Sequence, residues 1–437
     1  MARHGRTSTT AQAPSPAPAA RRRPLAAAGL IAAGALALDL AVPAAASAST
    51  AGARAAASPS IIYGTLDTQT AHAAAENQAG VHMAMFELAW NSFEPRRGYI
   101  SPAYLAAMKA ELAAYTAAGQ QVTLGLGLEN TPAWVFTLPD STYTDQKGTV
   151  AAGQADLVYS QAVRTAAAQY LSLVAANLPL AGFWAIRLTS GSGDGEMLYP
   201  GNGTYQAFSN AALTGAGLAA GMTKNPDPAW HPGTPGLTQP QIAAWVSWYI
   251  GGLDNVTAFE MTTLAALGFT GYYETATPGS GTRPGDLAAT EKHNLNNDGT
   301  TGVGAVWNLY YAQLPVKTKV IAYITSVADQ SGGNDSCQAA DTTLPLTSPA
   351  MDAWSATRWI TRIAHASGLL TGGENPGYGL PPSLDTFYTD TTPAGMMAAA
   401  LRQARSCGFT VFYWAHDIHL WDGTIPFTTY TTMTAAG

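Results

Sequence analysis

Short apolar runs that alternate with helix-like stretches are the feature that most restricts the fold of this sequence. Eight such runs follow residue 60, at 61–66, 81–88, 121–128, 182–188, 269–273, 319–324, 368–371 and 410–414. Helical patterns separate them, at about 69–78, 103–118, 157–176, 241–250, 256–267, 351–366 and 394–406. Strands separated by helices pair in parallel through right-handed crossovers, and eight such units close into a barrel. We therefore predict an α/β protein with the (β/α)8 (TIM barrel) fold.

An open, doubly wound sheet is the competing architecture. No GxGxxG turn follows the first apolar run, so the barrel is favoured. Glycines that suit a left-handed helix cap precede several predicted strands, namely Gly119, Gly268, Gly368 and Gly408. The longest interruption, residues 199–240, is rich in Gly, Pro and Asn and contains Trp230. In a barrel we expect this segment on the active face, where long loops build substrate pockets.

The first 48 residues have the pattern of an export signal. A basic segment that ends at Arg23 precedes an apolar run at 25–42, and residues 46–48, Ala-Ser-Ala, fit a cleavage site. We predict a secreted protein with a signal peptide at 1–48, a flexible lead-in at 49–59 and a catalytic barrel at 60–437. A signal anchor that stays in the membrane is the alternative. Pro43 and the small residues after it favour cleavage, which would leave no stable membrane span.

Composition restricts the ligand. The chain has 437 residues, enough to bury the core of one large barrel. Its formal net charge is -7, and it has no long Lys/Arg run beyond the amino end, which argues against a nucleic-acid partner. His416 and His419 lie near Asp417 and Asp422 after the last run, but no matching ligand cluster lies on another strand. We predict no metal, no cofactor and a neutral polar ligand.

Two predicted strands are followed by glycines and then a single glutamate. Residues 182–200 read GFWAIRLTSGSGDGEMLYP and contain Glu196, and residues 368–379 read GLLTGGENPGYG and contain Glu374. These follow the fourth and seventh runs, so both glutamates should lie on the carboxyl-end face where barrel enzymes keep their active sites. Glycoside hydrolysis needs two carboxyl groups, about 5 Å apart in retaining enzymes and about 6.5 Å or more apart in inverting ones.

The first third of the barrel resembles family 42 glycoside hydrolases, the β-galactosidase-like members of the clan A-type barrels. Residues 86–98 read FELAWNSFEPRRG and residues 124–139 read LGLGLENTPAWVFTLP. They carry the family's aromatic-Ala-Trp, Glu-Pro-x-x-Gly and Pro-x-Trp patterns at Trp90, Glu94, Pro95, Gly98, Pro132 and Trp134. The resemblance implies a retaining barrel whose acid/base follows strand four and whose nucleophile ends strand seven. Those positions are Glu196 and Glu374.

A second segment resembles another family. Residues 195–200, GEMLYP, are similar to the Gly-Glu-x-x-Tyr-Pro run around the acid of β-amylases, which are inverting barrel enzymes that act on starch. In family 42 the acid/base usually follows asparagine, whereas Gly195 precedes Glu196 here. The resemblance therefore implies an alternative substrate and stereochemistry within the same general class of hydrolases.

Further carboxylates and aromatic residues are candidates for holding a sugar. Glu87, Glu129 and Glu274 are predicted at the ends of strands two, three and five, where carboxylates accept hydrogen bonds from hydroxyls, and Glu274 is the main rival for the nucleophile. We expect Arg187 and Asp194 to orient the acid. Aromatic rings stack on sugars but are more often core. The candidate substrate-binding residues are Glu87, Trp90, Glu129, Trp134, Arg187, Trp230, Glu274, Tyr378, Trp414 and His416.

The two cysteines, Cys337 and Cys407, are a separate question. An exported protein can form a disulfide. The predicted barrel puts Cys337 in a loop at the carboxyl ends of the strands and Cys407 before the last strand, at the opposite end. Bridged cysteines have Cα atoms within about 7 Å. We therefore predict that they do not pair, unless the long loop folds down over the side.

These observations predict a secreted glycoside hydrolase that acts on an oligosaccharide or polysaccharide. Glu196 is the predicted general acid/base and Glu374 the predicted nucleophile of a retaining, β-galactosidase-like reaction. Two alternatives remain open. One is a catalytically inactive carbohydrate-binding barrel, and the other is an inverting, β-amylase-like α-glucan hydrolase.

Overall fold

A computed structural model of the chain describes residues 60–436, apart from 193–194, 202, 297–298 and 333–335. The predicted signal peptide, the lead-in, Asp194 and the final residue, Gly437, therefore lie outside the described residues. The strands are β1 (Ile62–Thr65), β2 (Met83–Glu87), β3 (Gln121–Gly125), β4 (Thr142–Thr144), β5 (Val150–Ala155), β6 (Ala185–Leu188), β7 (Tyr272–Thr277), β8 (Val320–Ile324), β9 (Leu370–Glu374) and β10 (Val411–Trp414).

Eight of these strands close into a parallel barrel in the order β1-β10-β9-β8-β7-β6-β3-β2, while β4 and β5 form a separate antiparallel pair. The predicted (β/α)8 fold is confirmed, and each predicted apolar run overlaps one barrel strand. The fifth barrel strand, β7, differs most from its prediction, because it continues to Thr277. Glu274 therefore lies within β7 rather than at its end. Its Cα is in register with that of Arg187 on β6.

The helices surround the barrel. They are α1 (Ala73–Gln78), α2 (Trp90–Phe93), α3 (Pro102–Ala117), α4 (Gln161–Asn177), α5 (Asn210–Thr214), α6 (Gln239–Ala266), α7 (Pro284–Lys292), α8 (Gly299–Gly302), α9 (Trp307–Gln313), α10 (Ala356–Ala366), α11 (Asp385–Thr389), α12 (Met396–Ser406), α13 (Ile418–Trp421) and α14 (Phe427–Ala435). Short 3-10 turns lie at Val135–Thr137, Leu180–Gly182, Ala339–Thr343, Pro349–Ala353 and Pro382–Leu384.

Helix α6 replaces two shorter helices that the sequence predicts at 241–250 and 256–267. Thr238 and Gln241 form a capping box at its start. Gly251 and Gly252 lie at its centre, and a helix tolerates glycine at a cost of about 1 kcal/mol per residue. Gly252 has a packing reason, because any side chain there would collide with the Tyr199 hydroxyl. Among the described residues, no helix is both long and apolar enough to cross a membrane.

Alternation along the strands separates two apolar layers. One cluster fills the barrel interior with Leu66, Met83, Met85, Ile321, Tyr323, Val411, Tyr413 and Ala415. Residues of the opposite parity, such as Phe412 and Trp414 on β10, belong to the larger cluster between the strands and the helices. By the same alternation Arg187, Glu274 and Glu374 share the inward face of their strands. The polar site is thus built on the upper layer of the barrel interior.

The prediction that the cysteines are unpaired is wrong. Cys337 and Cys407 form a disulfide, with Cα atoms 5.0 Å apart. The expectation failed because it left Cys337 at the carboxyl ends of the strands. The segment after β8 instead runs down the side of the barrel, where Arg362 of α10 donates to the carbonyls of Asp341 (2.7 Å) and Leu344 (2.7 Å). This path brings Cys337 to the end of α12, which Cys407 caps.

The long segment at 199–240 packs against α6. Tyr199 stacks on Tyr249 with ring centroids 4.2 Å apart and donates to its carbonyl at 2.6 Å. Trp230 is 7% exposed and meets Trp245 edge to face at 5.5 Å. Asn225 accepts a 3.0 Å hydrogen bond from the Trp245 indole. Much of this segment therefore contributes to the core around α6, whereas the sequence predicts it as a loop that builds a substrate pocket on the active face.

Candidate active site

Glu374 is the last residue of β9 and faces the barrel axis. Its Oε2 accepts a hydrogen bond from the Tyr323 hydroxyl of β8 and lies 3.8 Å from Nη2 of Arg187. The side chain is only 16% exposed, and burial raises its pKa to about 7. Arg187 and Tyr323 act in the opposite direction, since both stabilise the ionised form. A carboxyl group in this setting changes charge near neutral pH.

Glu196 reaches the same region from the loop after β6. Thr325, just beyond β8, donates to its Oε1 at 2.9 Å. Its carbonyl accepts hydrogen bonds from the backbone N–H and hydroxyl of Ser190 at 3.3 and 3.1 Å. Gly195 makes the turn possible, because its φ of 84° is one that side chains rarely adopt. The negative charge of Glu196 raises the pKa of Glu374, so the two predicted catalytic glutamates are brought within electrostatic reach.

Arg187 lies between two carboxyl groups. Its Nε and Nη2 each lie 3.4 Å from Oε2 of Glu274, and its guanidinium carbon lies 4.1 Å from the centre of the Tyr323 ring. Tyr413 donates to the other oxygen of Glu274 at 3.3 Å. Glu274 is completely buried, and this burial raises its pKa against the effect of Arg187. It therefore lies beneath Glu374, without the open surface that a substrate contact needs.

Glu87 and Glu129 line a small cavity of about 30 Å³ together with Arg187, Thr189 and Gly195. A volume of this size is roughly that of one water molecule. Burial raises the pKa of Glu129 to about 7, and the Glu87 charge raises it further. A Cβ at Gly195 would lie 3.6 Å from the Glu129 carboxyl carbon. The two candidate sugar-binding carboxylates are thus adjacent to the loop that carries Glu196.

His416 follows β10 and pairs with Asp67, which follows β1. Its Nδ1 lies 2.6 Å from Oδ2 of Asp67. This contact raises the pKa of His416, although partial burial acts against it, and the charges of Glu374 and Glu87 raise it further. The imidazole is 27% exposed. A partly exposed imidazole near the carboxylates, with a raised pKa, fits the predicted contact with substrate.

The predicted aromatic residues separate into two groups. Trp90 and Trp414 are completely buried and Trp230 is nearly so, which leaves them no face for stacking on a sugar. Trp414 instead packs against Tyr388 and Tyr430 on the outer side of the barrel. Stacking is therefore not supported for these three residues.

Trp134 and Tyr378 remain accessible. Trp134 is partly exposed, and Arg97 lies over its ring at 5.9 Å. Tyr378 is 40% exposed and lies four residues after Glu374 in sequence, with its ring 5.1 Å from that of His419. Of the predicted stacking residues, these two keep surface that a ligand can reach.

Glu94 explains much of the motif at 86–98. One carboxyl oxygen accepts from the Trp90 indole at 2.9 Å, and the other accepts from the Gly98 backbone at 2.6 Å. Its carbonyl accepts from the Trp134 indole at 3.2 Å. Glu94 is 1% exposed. These residues hold two loops together at the end of β2 and β3, which is a structural role.

Four residues of the site are missing from the sequence-based set, namely Asp67, Tyr323, Thr325 and Tyr413. Asp67 and Thr325 directly follow predicted strands, and that position is a usable signal. The two tyrosines lie inside strands rich in apolar residues and look like core there. Only the alternation along the strands distinguishes these tyrosines from outward-facing core residues, because it points them towards the barrel axis.

A second buried carboxyl pair lies beside the first strand. Glu76 of α1 accepts hydrogen bonds from Thr65 at 3.1 Å and from the Trp421 indole at 3.3 Å. Burial and the neighbouring Asp417 raise the pKa of Glu76 to about 9. Asp417 accepts from the Gln69 backbone at 2.7 Å. Within the described ranges, no group of three or more His, Cys, Asp or Glu side chains is arranged to hold a metal ion.

Comparison with known proteins yields matches at the level of structure. No protein-family model matches the chain, and no curated protein matches it in sequence. Its structure is similar to the catalytic domain of a β-amylase from Paenibacillus polymyxa, with a TM-score of 0.57 and 13% identity over 86% of this chain and 98% of that one. It is also similar to a β-galactosidase from the psychrophilic Marinomonas ef1, with a TM-score of 0.51 and 12% identity over 82% of this chain.

The match spans 54% of the β-galactosidase chain, so this chain corresponds to about half of that protein. At these identities the similarity establishes the fold. The chain has the parallel barrel that these glycoside hydrolases share.

Proposed function

We propose that this protein is a glycoside hydrolase in which Glu196 is the general acid/base and Glu374 the nucleophile. The observation that carries the proposal is that both carboxyl groups bind residues at the end of β8, although they follow or end the fourth and seventh barrel strands. One is held by Thr325 and the other by Tyr323 and Arg187. A partly buried pair in unequal surroundings is what acid and nucleophile roles require.

In the reaction we propose, Glu196 gives its proton to the glycosidic oxygen as the bond to the anomeric carbon breaks. Ionised Glu374 attacks that carbon and forms a covalent glycosyl ester. Glu196, now a carboxylate, takes a proton from water, and the water displaces Glu374. Arg187 and Tyr323 stabilise the carboxylate of Glu374 before attack and again when it leaves. The contacts of Glu196 with Thr325 and of Glu374 with Tyr323 and Arg187 support this sequence of steps.

For the substrate, we propose a neutral oligosaccharide or polysaccharide, with a β-galactoside as the first candidate. The family 42 patterns around Trp90 and Trp134 and the structural similarity to a β-galactosidase support this choice. Glu87, Glu129 and His416 lie where they can bind sugar hydroxyls. We also propose that the protein is exported, on the basis of the pattern at residues 1–48.

A second candidate is an inverting hydrolase of α-glucans. The segment at 195–200 and the similarity to a β-amylase catalytic domain over nearly its whole length favour it. In that reaction Glu374 would activate a water molecule instead of attacking the sugar. The two candidates differ in the configuration of the first product, which proton NMR of the fresh reaction mixture reports directly. Retention supports the covalent route and inversion supports the second candidate.

The test is a screen of the purified protein against aryl glycosides, galactosides and arabinosides included, and against starch, with Glu374→Ala as the blank. Hydrolysis that is absent from the variant supports the proposal. Activity that persists in Glu374→Ala moves the nucleophile elsewhere. Binding of sugars without hydrolysis of any of them supports an inactive carbohydrate-binding barrel.

Glu196→Gln tests the role of the acid. It should suppress hydrolysis of substrates with poor leaving groups by about 100-fold or more while sparing those with activated leaving groups, because only the former need a proton. Equal losses on both substrate types would contradict the assignment.

A further inference from the structure

We propose that Glu274 is a positioning residue that competes with Glu374 for Arg187 and thereby sets the pH range in which Glu374 is ionised. The inference rests on the proposed function, in which ionised Glu374 is the nucleophile. Glu274 touches no open space, and of its two contacts, Arg187 and Tyr413, only Arg187 also reaches Glu374. Its influence on the reaction is electrostatic.

The geometry shows one cation shared by two carboxyl groups. Nη2 of Arg187 lies 3.4 Å from Glu274 and 3.8 Å from Glu374. Nε also lies 3.4 Å from Glu274, so the guanidinium is closer to Glu274 than to Glu374. Tyr323 stacks on the guanidinium carbon at 4.1 Å and keeps it in this position.

Charge counting shows why sharing matters. Arg187 carries one positive charge, and two ionised glutamates around it leave one excess negative charge in a buried site. Glu274 is 0% exposed and Glu374 is 16% exposed, so water screens this excess charge poorly. One proton on either carboxyl group makes the triad neutral. Groups this close release their protons as a coupled pair.

Other charged groups also act on the triad, and one of them, Glu129, lies close enough to Arg187 for Arg187 to lower its pKa. Glu374 faces Arg187 of β6, Tyr323 of β8, Glu196 of the loop after β6 and His416 after β10. Arg187 also faces Glu87 of β2, and Glu274 faces Tyr413 of β10. Among the described residues named here, His416 is the other basic group near Glu374, and it is already paired with Asp67. Glu274 is therefore the group whose removal would free the most positive charge for Glu374.

The test is the pH profile of kcat/KM for Glu274→Gln, measured on the aryl glycoside that the wild type hydrolyses. The amide keeps the shape and an acceptor for Arg187 but removes the negative charge. We expect the acid limb of the profile to move to lower pH by about one unit, because an opposite charge without a competitor favours ionisation by one to three units. A limb that stays in place, or moves to higher pH, would overturn the proposal even if kcat falls.

Tyr413→Phe is the matched control. It removes the other hydrogen bond to Glu274 and keeps both the ring and the charges of the triad. A purely structural role for Glu274 predicts similar effects of the two substitutions on kcat and no movement of the acid limb. The proposal predicts the larger shift in Glu274→Gln, because Tyr413→Phe only weakens the ionised form of Glu274 and does not remove its charge.

An infrared titration of the unmodified protein keeps the inference testable if Glu274→Gln does not fold. Subtracting the spectrum of Glu374→Gln removes the bands of the other buried carboxyl groups, such as Glu76 and Glu129. The carbonyl stretch that remains should persist towards neutral pH and fade in a broad, coupled transition. Loss of that band at the pH of ordinary glutamates would refute the shared cation. This measurement needs no substrate, so a wild type that hydrolyses nothing would refute the proposed function and leave this inference to be decided separately.

Discussion

Replacement of Glu374 by glutamine should stabilise the protein above neutral pH. The pKa of Glu374 rises from 4.5 to about 7 on folding, chiefly because the side chain is buried. At about 1.4 kcal/mol per unit, the difference amounts to roughly 3 kcal/mol. A group whose pKa is raised in the folded state contributes stability below its unfolded pKa, and this contribution is lost as the pH rises through the folded pKa. The wild type therefore loses this stability between about pH 4.5 and 7, and Glu374→Gln does not.

The assay is thermal unfolding of both proteins at several pH values. Unfolding entropy is about 2.1 cal/mol/K per residue, which for roughly 370 folded residues gives about 0.8 kcal/mol per degree. Three kcal/mol then corresponds to a Tm difference of about 4 °C. We expect the Tm of the variant minus that of the wild type to increase by about 4 °C between about pH 4.5 and pH 8. Most of the increase should be complete by pH 7.

Asp390→Asn provides a control of opposite sign. Asp390 is on the surface, and hydrogen bonds from Thr392 lower its pKa. Its contribution to stability is therefore present above its unfolded pKa and is lost as the pH falls. A Tm difference between wild type and Glu374→Gln that stays constant within about 1 °C over this pH range would refute the argument, because it would mean that Glu374 ionises in the folded protein as it does in the unfolded chain.

Three further predictions follow from other parts of the structure. Removal of the disulfide by the double substitution Cys337→Ser and Cys407→Ser should cost about 4 kcal/mol in a denaturant titration, the loop-closure value for a bridge across 70 residues of sequence. Asp67→Asn should move the proton NMR titration of His416 to lower pH, because the hydrogen bond to Asp67 is the main reason that its pKa is raised. The stability difference between Glu76→Gln and the wild type should grow in favour of the variant up to about pH 9, since the pKa of Glu76 is raised to about 9. The corresponding difference for Glu374→Gln should level off near pH 7.

Each of these has a contrary outcome. A double serine variant with an unchanged unfolding midpoint would show that the bridge closes a loop that is already ordered in the unfolded chain. If Asp67→Asn leaves the midpoint of the His416 titration unchanged, the two side chains do not form an ion pair in solution. If the stability difference between Glu76→Gln and the wild type stops increasing near pH 5, Glu76 is hydrated in the folded protein.

The barrel and the two proposed catalytic glutamates were predictable because their signals are local. An apolar run that ends in glycines marks the end of a buried strand, and the order of the runs assigns Glu196 and Glu374 to one face. The position of Glu274 was less predictable, since the end of β7 lies beyond the run at 269–273. Its contact with Arg187 depends on the register of β6 and β7, which sequence alone does not contain.

The aromatic residues show a different limit. A tryptophan at the end of a strand is compatible with a pocket and with the core, and hydrophobicity does not distinguish them. Trp90 is buried because Glu94 binds its indole, and Trp414 is buried because alternation turns it outward to Tyr430. The disulfide was missed for a geometric reason. The path of a long loop down the side of a barrel leaves no periodic pattern in its residues.

The bridge between Cys337 and Cys407 also has a consequence for proteolysis of the chain. The covalent ring that it closes contains α10, β9 with Glu374, α11 and α12. A single peptide-bond cleavage anywhere between residues 338 and 406 opens this ring but leaves the two pieces attached through sulfur. The strand that carries Glu374 can then return to its place beside β8 and β10 after a cut in either flanking loop. A single cleavage in this region therefore leaves the fragment that bears the proposed nucleophile covalently attached to the rest of the protein.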